Sequence, residues 1–285
     1  MTVADRIRQG AVSATSASFL SELLAQDRPI VMGILNVTPD SFSDGGRFLS
    51  PERAISRAER MIAEGADIID IGAESSRPYG ATPISAEEER ARLDGVLADV
   101  VDLGTPVSID TQKAKVGAWA LDQGAVMLND VWGLQRDAGL ARLAAERQVP
   151  VVIMHNRDKA DPAIDILADI EAFFHRSLAI AQEAGIHRKR IVLDPGIGFG
   201  KTPEQSMAAI NNVARFKSFG LPLLIGASRK RFIDAVSHAT PDERLGGSLA
   251  AHLLAADNGA AILRVHDVAQ TVQALRVAAA IRSGA

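Results

Sequence analysis

The sequence predicts a single α/β domain folded as a closed (βα)8 barrel, and three observations carry that expectation. Eight short apolar runs of strand length occur, and most of them lead into a polar residue. Helix-period segments alternate with these runs, with short connections and no low-complexity linker. The polar run ends are spread along the whole chain. In a barrel every strand delivers its C-terminal end to one mouth, whereas an open doubly wound sheet does so only near its switch point. The open sheet is the second choice.

In chain order, the segment Met1 to Gln26 carries Arg6, Arg8 and several serines, but also Asp5 and Glu22, and it lacks the continuous apolar core of a secretory signal. It reads as a lead-in to the first strand, helical near Phe19 to Leu24. Residues 1–28 are then an N-terminal extension and 29–285 the barrel. The strand-like runs are Ile30–Leu35 before Asn36, Asp67–Ile71, Pro106–Ile109 before Asp110, and Ala125–Leu128 before Asn129. Pro150–Met154 before His155, Ile191–Leu193 before Asp194, Leu221–Gly226 before Ser228 and Ala260–Leu263 before Arg264 complete the set. Continuous apolar runs suit strands covered on both faces of a parallel sheet. Gly65, Gly124 and Gly259 precede three of them, where glycine ends a helix in the left-handed region.

Between the runs, apolar residues recur at helical spacing. Leu93, Val96, Leu97 and Val100 share one face, as do Leu167, Ile170, Phe174 and Leu178, and Val268, Val272, Leu275 and Ala279. Ser50-Pro51-Glu52 places a cap before proline at the first helical position. Ser85 followed by Glu87, Glu88 and Glu89 is a cap with acids in the first turn, Glu88 standing at capping-box spacing.

Composition narrows the function. A chain of 285 residues with 47% hydrophobic and 23% charged residues buries a large core in one domain. The formal net charge of -4 gives no nucleic-acid footprint, and no apolar run reaches bilayer length. Cysteine is absent, which excludes disulfides, thiolate catalysis and cysteine metal sites and fits a reducing cytoplasm.

Several motif-like features are decoys. Gly196-Ile197-Gly198-Phe199-Gly200-Lys201-Thr202 resembles a phosphate loop, yet Pro195 stands where that loop needs its first glycine. No histidine pair has metal-ligand spacing, and no G-x-S-x-G elbow occurs. His175, His187 and His238 read as surface residues, whereas His155 and His266, at strand ends, are candidates for the mouth.

The chemistry-bearing residues lie at the run ends. The loop Asn36 to Gly46 is long, polar and glycine-ended, as a mobile lid over a barrel mouth would be. The loop Gly72 to Gly80 sets small residues beside Arg77, a weak sign of an anionic ligand. A lone Asp after a strand is as often a helix cap. Asp110, Asn129 and Asp194 on three strand ends, with Lys230 from a fourth, are more persuasive together. Acceptors converging in an apolar mouth match a flat heterocycle with a donor-rich edge, such as a 2-amino-4-oxo-pyrimidine. Arg264 and His266 share a strand face and suit a phosphate or an aromatic ring.

The stretches Asn36–Gly46, Glu74–Pro78, Ser108–Thr111, Leu128–Asp130, Leu193–Lys201, Ala227–Lys230 and Arg264–His266 resemble dihydropteroate synthase, in that family's order and across nearly the whole chain from Pro29 on. The resemblance implies a (βα)8 TIM barrel. It implies condensation of 6-hydroxymethyl-7,8-dihydropterin diphosphate with p-aminobenzoate, giving 7,8-dihydropteroate and diphosphate in folate synthesis. It implies that Asp110, Asn129, Asp194 and Lys230 hold the pterin edge, with Val131 and Met154 lining the pocket. Arg264 would stack on the pterin and, with Asn36, Ser76 and His266, bind diphosphate. Asn36 and Asp44 would contact Mg²⁺. Phe42, Arg77, Pro78, Phe199, Ser228 and Lys230 would build the p-aminobenzoate site. Asp110, Lys230 and Arg264 would carry catalysis, and the family suggests a homodimer and sensitivity to sulfonamides.

Three departures stand out: Ser76 where threonine is usual, Ala73 for a glycine, and Tyr79 as an extra residue between Pro78 and Gly80. Tyr79 is expected to alter the rim of the p-aminobenzoate pocket. Two other readings compete. A pterin-binding methyltransferase would share the pterin-edge acids but would not need Asp44 or the Arg264–His266 pair. A non-catalytic pterin-binding paralogue would not need the whole polar set retained.

Overall fold

The structure is a computed structural model describing residues 17–37, 50–74 and 83–284. Eight parallel strands form one sheet: β1 Ile30–Asn36, β2 Ile68–Gly72, β3 Val107–Asp110, β4 Met127–Asp130, β5 Val151–Met154, β6 Ile191–Asp194, β7 Leu224–Ile225 and β8 Ile262–Val265. β1 pairs with both β2 and β8, so the sheet runs β6-β5-β4-β3-β2-β1-β8-β7. A parallel bridge between Leu193 and Leu223, with the Leu193 N–H donating to Pro222 O at 3.0 Å, joins its two edges into a barrel.

Helices follow the strands as the periodicity predicts. They are α1 Ala17–Leu24, α2 Pro51–Glu64, α3 Ala86–Leu93, α4 Leu97–Asp102, α5 Ala114–Asp122 and α6 Ala138–Arg147. α7 Ile166–Ala184, α8 Pro203–Asn211, α9 Val213–Phe216, α10 Arg231–Ser237, α11 Leu245–Asp257 and α12 Val268–Ser283 complete the set. The face read as one helix from Leu93 to Val100 is two, because Gly95 adopts φ +80° between α3 and α4. All four of its apolar residues remain buried, so the tertiary packing that the periodicity reports survives the break. The Ser85 hydroxyl accepts from the Glu88 N–H as a cap, but the Glu88 carboxylate pairs with Arg92 at 2.7 Å instead of closing a capping box. Ser50 precedes Pro51 at the start of α2 without a side-chain capping bond.

Two apolar layers hold the barrel. Outward-facing strand residues such as Val31, Ile69, Ile109, Leu128, Ile153, Leu193 and Leu263 pack under the helices. Inward-facing Met32, Ile68, Met127, Val152, Val192, Leu224 and Ile262 fill the lower barrel. That inner cluster is closed by Phe19, Leu20 and Leu23 of α1. The lead-in helix therefore stoppers the barrel's N-terminal end, keeping an apolar layer from water. None of the described helices is long and apolar enough to cross a membrane.

Candidate active site

One two-residue step toward the mouth changes the character of the inner face. Side chains alternate along a strand, so residues i and i+2 point the same way. Above Ile68 stands Asp70, above Ser108 Asp110, above Met127 Asn129, above Val192 Asp194 and above Ile262 Arg264. These polar groups meet in a pocket lined by Asp110, Asn129, Val131, Met154, Asp194, Ile197, Phe199, Gly226, Lys230 and Arg264. All seven residues expected at the pterin lie in it, with Phe199 from the p-aminobenzoate set. Ile197 and Gly226 are additions that carried no polar signal in the sequence. Val131, Met154 and Phe199 form a small apolar cluster of their own, with Trp132 packed against it.

Hydrogen bonds order this floor. Arg264 donates through Nε to Asp70 at 2.6 Å and through a terminal nitrogen to Asp110 at 2.8 Å. The Asn129 amide nitrogen donates to the same Asp70 oxygen at 3.0 Å. Asp194 accepts the Gly196 N–H at 2.7 Å. The Lys230 ammonium lies 4.0 Å from the centre of the Phe199 ring, a cation–π distance.

Burial dominates the electrostatics. It pushes the Asp110 carboxyl up to about 7; Arg264 opposes that rise and the neighbouring Asp70 charge adds to it. Burial likewise raises Asp194 to about 6, against its bond from Gly196 and the charge of Lys230. Arg264 is held above its ordinary value by the charges of Asp70 and Asp110, which outweigh the burial that opposes them. Perturbed acids beside cations in a cleft mark a candidate functional site.

His266 and Ser228 sit at the side of this floor. The Ser228 hydroxyl oxygen accepts the His266 N–H at 3.2 Å and lies 2.9 Å from His266 Nδ1. Burial and the Arg264 charge press His266 down to about 3, which favours a neutral ring paired with the Ser228 hydroxyl. Arg229 steadies the segment, reaching Asp267 at 2.7 Å and Asp242 at 3.1 Å. Asn36 ends β1 and is exposed at the mouth. Phe42, Asp44, Ser76, Arg77, Pro78 and Tyr79 lie outside the described residues. The second loop's base is described: Glu74 accepts from Lys113 at 2.8 Å, and Lys113 also grips the buried Glu89.

His155 is not a mouth residue. It is fully buried, and its ring bridges Asp169 at 3.0 Å and Lys201 at 2.6 Å on the outer side of β5. The phosphate-loop decoy finds its explanation here. The Lys201 ammonium turns inward and donates to Gly196 O at 2.9 Å and Phe199 O at 3.2 Å, clasping the glycine loop from behind. Gly196 must be glycine: its φ is +67°, and a Cβ there would stand 1.9 Å from His155 O. Thr202 then opens α8 with a capping box to Gln205. His175, His187 and His238 are exposed, as the sequence suggests.

Two residues of this arrangement escaped the sequence reading. Asp70 lay hidden inside a run read as apolar, although a charge between isoleucines of a strand covered on both faces was the available signal. Lys201 had no signal beyond its place in the glycine loop.

The comparisons with known proteins agree with this geometry. The family model described as pterin binding enzyme matches residues 32–266. The dihydropteroate synthase of Bacillus subtilis (strain 168) is 46% identical over 251 residues, covering 88% of this chain and 87% of that protein. Xanthomonas albilineans dihydropteroate synthase, solved with 4-aminobenzoic acid, is 44% identical with a TM-score of 0.86, covering 90% of this chain and 94% of that one. The same organism's enzyme in complex with 7,8-dihydropteroate superposes with a TM-score of 0.82 at 42% identity, covering 90% and 95% of the two chains. A barrel whose mouth gathers buried acids, an amide, a lysine and an arginine, matched over nearly its full length by these enzymes, belongs to the dihydropteroate synthase family.

Proposed function

We propose that this pocket carries out the family's condensation with its floor and its rim divided between two substrates. The observation that carries the reading is the convergence of Asp110, Asn129, Asp194, Lys230 and Arg264, from five different strand ends, in one pocket. Asp110, Asn129 and Asp194 accept hydrogen bonds from the pterin's amino and ring N–H groups, and Lys230 donates to its carbonyl and ring nitrogen. Val131 and Met154 flank the ring, and Arg264 stacks on it. Asn36, Ser76, Arg264 and His266 face the diphosphate, with His266 serving as a neutral hydrogen-bonding group.

The chemistry follows from where charge develops. As the methylene carbon separates from the diphosphate oxygen, positive charge spreads over the pterin and negative charge over the leaving group. Asp110 and Asp194, fixed in place and in their anionic forms, stabilise the first, and Arg264 the second. The neutral amine of p-aminobenzoate, held beside Phe199, Ser228 and Lys230 with Phe42, Arg77 and Pro78, attacks the methylene carbon. The C–N bond forms, diphosphate leaves with the electron pair of the broken C–O bond, and the amine proton passes to solvent or diphosphate.

Mg²⁺ belongs to this reading. Among the described residues no three His, Asp or Glu side chains cluster to hold a metal, and Asn36 offers one oxygen at the mouth. A single protein oxygen suits an ion that keeps several waters and binds substrate phosphates. Asn36, with Asp44, would hold it. Bound there, Mg²⁺ would neutralise charge growing on the diphosphate. A homodimer also fits. The exposed large apolar residues among those described, Met207, Val236, Leu254, Val277 and Ile281, all lie on α8, α10, α11 and α12. The absence of cysteine suits a cytoplasmic enzyme.

The test is purified protein with the pterin diphosphate, p-aminobenzoate and Mg²⁺, following diphosphate release. Release that depends on p-aminobenzoate is expected. Its absence would refute the reading.

A further inference from the structure

Asp70 is the one acid of the inner layer that does not line the pocket, although it touches two residues that do. It is fully buried on β2, and in register its neighbours are Ile34 and Ser108. Its Oδ2 accepts from both Arg264 Nε and Asn129 Nδ2, while its Oδ1 has no hydrogen-bond partner among the described residues. Such a carboxylate is a poor choice for stability, since an apolar residue of similar volume in a buried ion-pair position often serves the fold as well or better. The layer directly below it is made of such residues. What Asp70 does well is dictate orientation.

A carboxylate has no proton to donate, so the group of Asn129 that faces Asp70 has to be its NH₂. The amide is thereby turned, leaving its carbonyl oxygen for the pocket that Asn129 lines. Asp70 also grips the guanidinium by Nε, the nitrogen nearest the Arg264 backbone, so the plane is fixed while one terminal nitrogen reaches outward to Asp110. Gly72, next on the same face, leaves space at that level: a Cβ there would lie 3.3 Å from Asp110 Cβ. Arg264 can then lie across both carboxylates.

We infer that Asp70 is a positioning residue that sets the recognition polarity of the pocket, fixing Asn129 as an acceptor and Arg264 as an oriented plane. This inference rests on the pterin reading of the site. With Asp70 in place the pocket demands a donor from its ligand at the Asn129 position. Without it the Asn129 amide can rotate, and the demand lapses.

The test is Asp70→Leu in the full-length protein, with two readouts. One is kcat/KM for the condensation. The other is the ratio of binding constants, by fluorescence titration, for a 2-amino-4-oxopteridine and its analogue lacking the 2-amino group. The expected result is a folded protein whose kcat/KM falls roughly 10- to 100-fold, the range typical when a supporting partner of a binding group is removed. The preference for the 2-amino ligand should shrink toward one. A merely structural role would lower the thermal midpoint and leave that preference intact. Asp70→Asn, which keeps an oxygen but loses the charge, is expected between the two proteins and decides the matter if Asp70→Leu does not fold. A folded variant with the wild-type ratio and wild-type kcat/KM would overturn the inference. Failure of the wild type itself to bind the 2-amino ligand would instead overturn the underlying pterin reading.

Discussion

The two ends of this barrel are built from the same strands and the same inner face, yet they follow opposite rules. At the closed end, Met32, Ile68, Met127, Val192 and Ile262 pack against Phe19, Leu20 and Leu23 of α1 with no polar atom among their side chains. One step up, Asp70, Asp110, Asn129, Asp194 and Arg264 are nearly as buried and carry four formal charges. Burial without charge stabilises the fold, whereas burial of several charges around one guanidinium is a weak source of stability, and recognition is the role proposed for it here. The change within a single side-chain step shows how little scaffold separates holding the barrel from running the reaction.

The comparison breaks most visibly at Asp110. Asp110→Asn removes the negative charge that the proposed mechanism sets against the developing pterin cation while keeping the shape. We expect kcat/KM to fall about a hundred- to a thousand-fold, as when one preorganised electrostatic group is lost, with the protein still folded. Steady-state kinetics and a thermal melt check both halves. A normal rate would remove the functional meaning of the upper layer.

At the closed end the signature should invert. Leu20 is fully buried in the stopper. Leu20→Ala should cost about 2–5 kcal/mol of stability through lost burial and a residual cavity. Urea denaturation measures it, and the Michaelis constants of the surviving folded enzyme should be unchanged. A shift in those constants would mean that the two layers are coupled.

Acidity should drive the layers apart. Folding lifts Asp194 from 3.8 to about 6 and Asp110 from 3.8 to about 7, so the folded chain takes up protons that the unfolded chain does not. Each raised acid favours the fold fully below its unfolded value, and that contribution is lost as pH rises through the folded value. Activity should run the other way, because the proposed recognition uses the anions. As pH falls from 7 toward 4, kcat/KM should drop, while the stability of the wild type relative to Asp194→Asn should rise. The difference in unfolding midpoint between the two proteins across that range checks the sign. A wild type that loses ground to Asp194→Asn on acidification would contradict it.

The smallest effect is expected behind the pocket. Lys201, pressed down to about 7 chiefly by burial, holds Gly196 O and Phe199 O. Lys201→Met should loosen the turn that presents Phe199 and raise KM for p-aminobenzoate about tenfold, equivalent to about 1.4 kcal/mol, with kcat less affected. Equal effects on both substrates would place the lysine's influence at Asp194 instead.

Much of this was legible in the sequence, for reasons that differ by layer. The strands announced themselves because a barrel strand is covered on both faces and cannot alternate polar and apolar residues along most of its length. Much of the mouth was legible because four of the apolar runs stop at a polar residue that lines the pocket, so Asp110, Asn129, Asp194 and Arg264 stood at run ends. Asp70 was not, because it stops nothing: Ile71 and Gly72 continue the strand past it. The split between α3 and α4 was written in Gly95, but the apolar spacing on either side concealed it. His155 was misplaced at the mouth because a strand end fixes height but not side, and its ring falls on the outer face. Its partner Lys201 lies 46 residues away, a pairing that local pattern cannot announce.

The central claim is that the upper layer reads the pterin's donor edge, and a crystal structure of this protein with 7,8-dihydropteroate tests it most directly. The account predicts the pterin lying against Arg264, with its amino and ring N–H groups on Asp110, Asn129 and Asp194 and its carbonyl toward Lys230. A pterin bound elsewhere, or turned so that its carbonyl faces those acceptors, would contradict it.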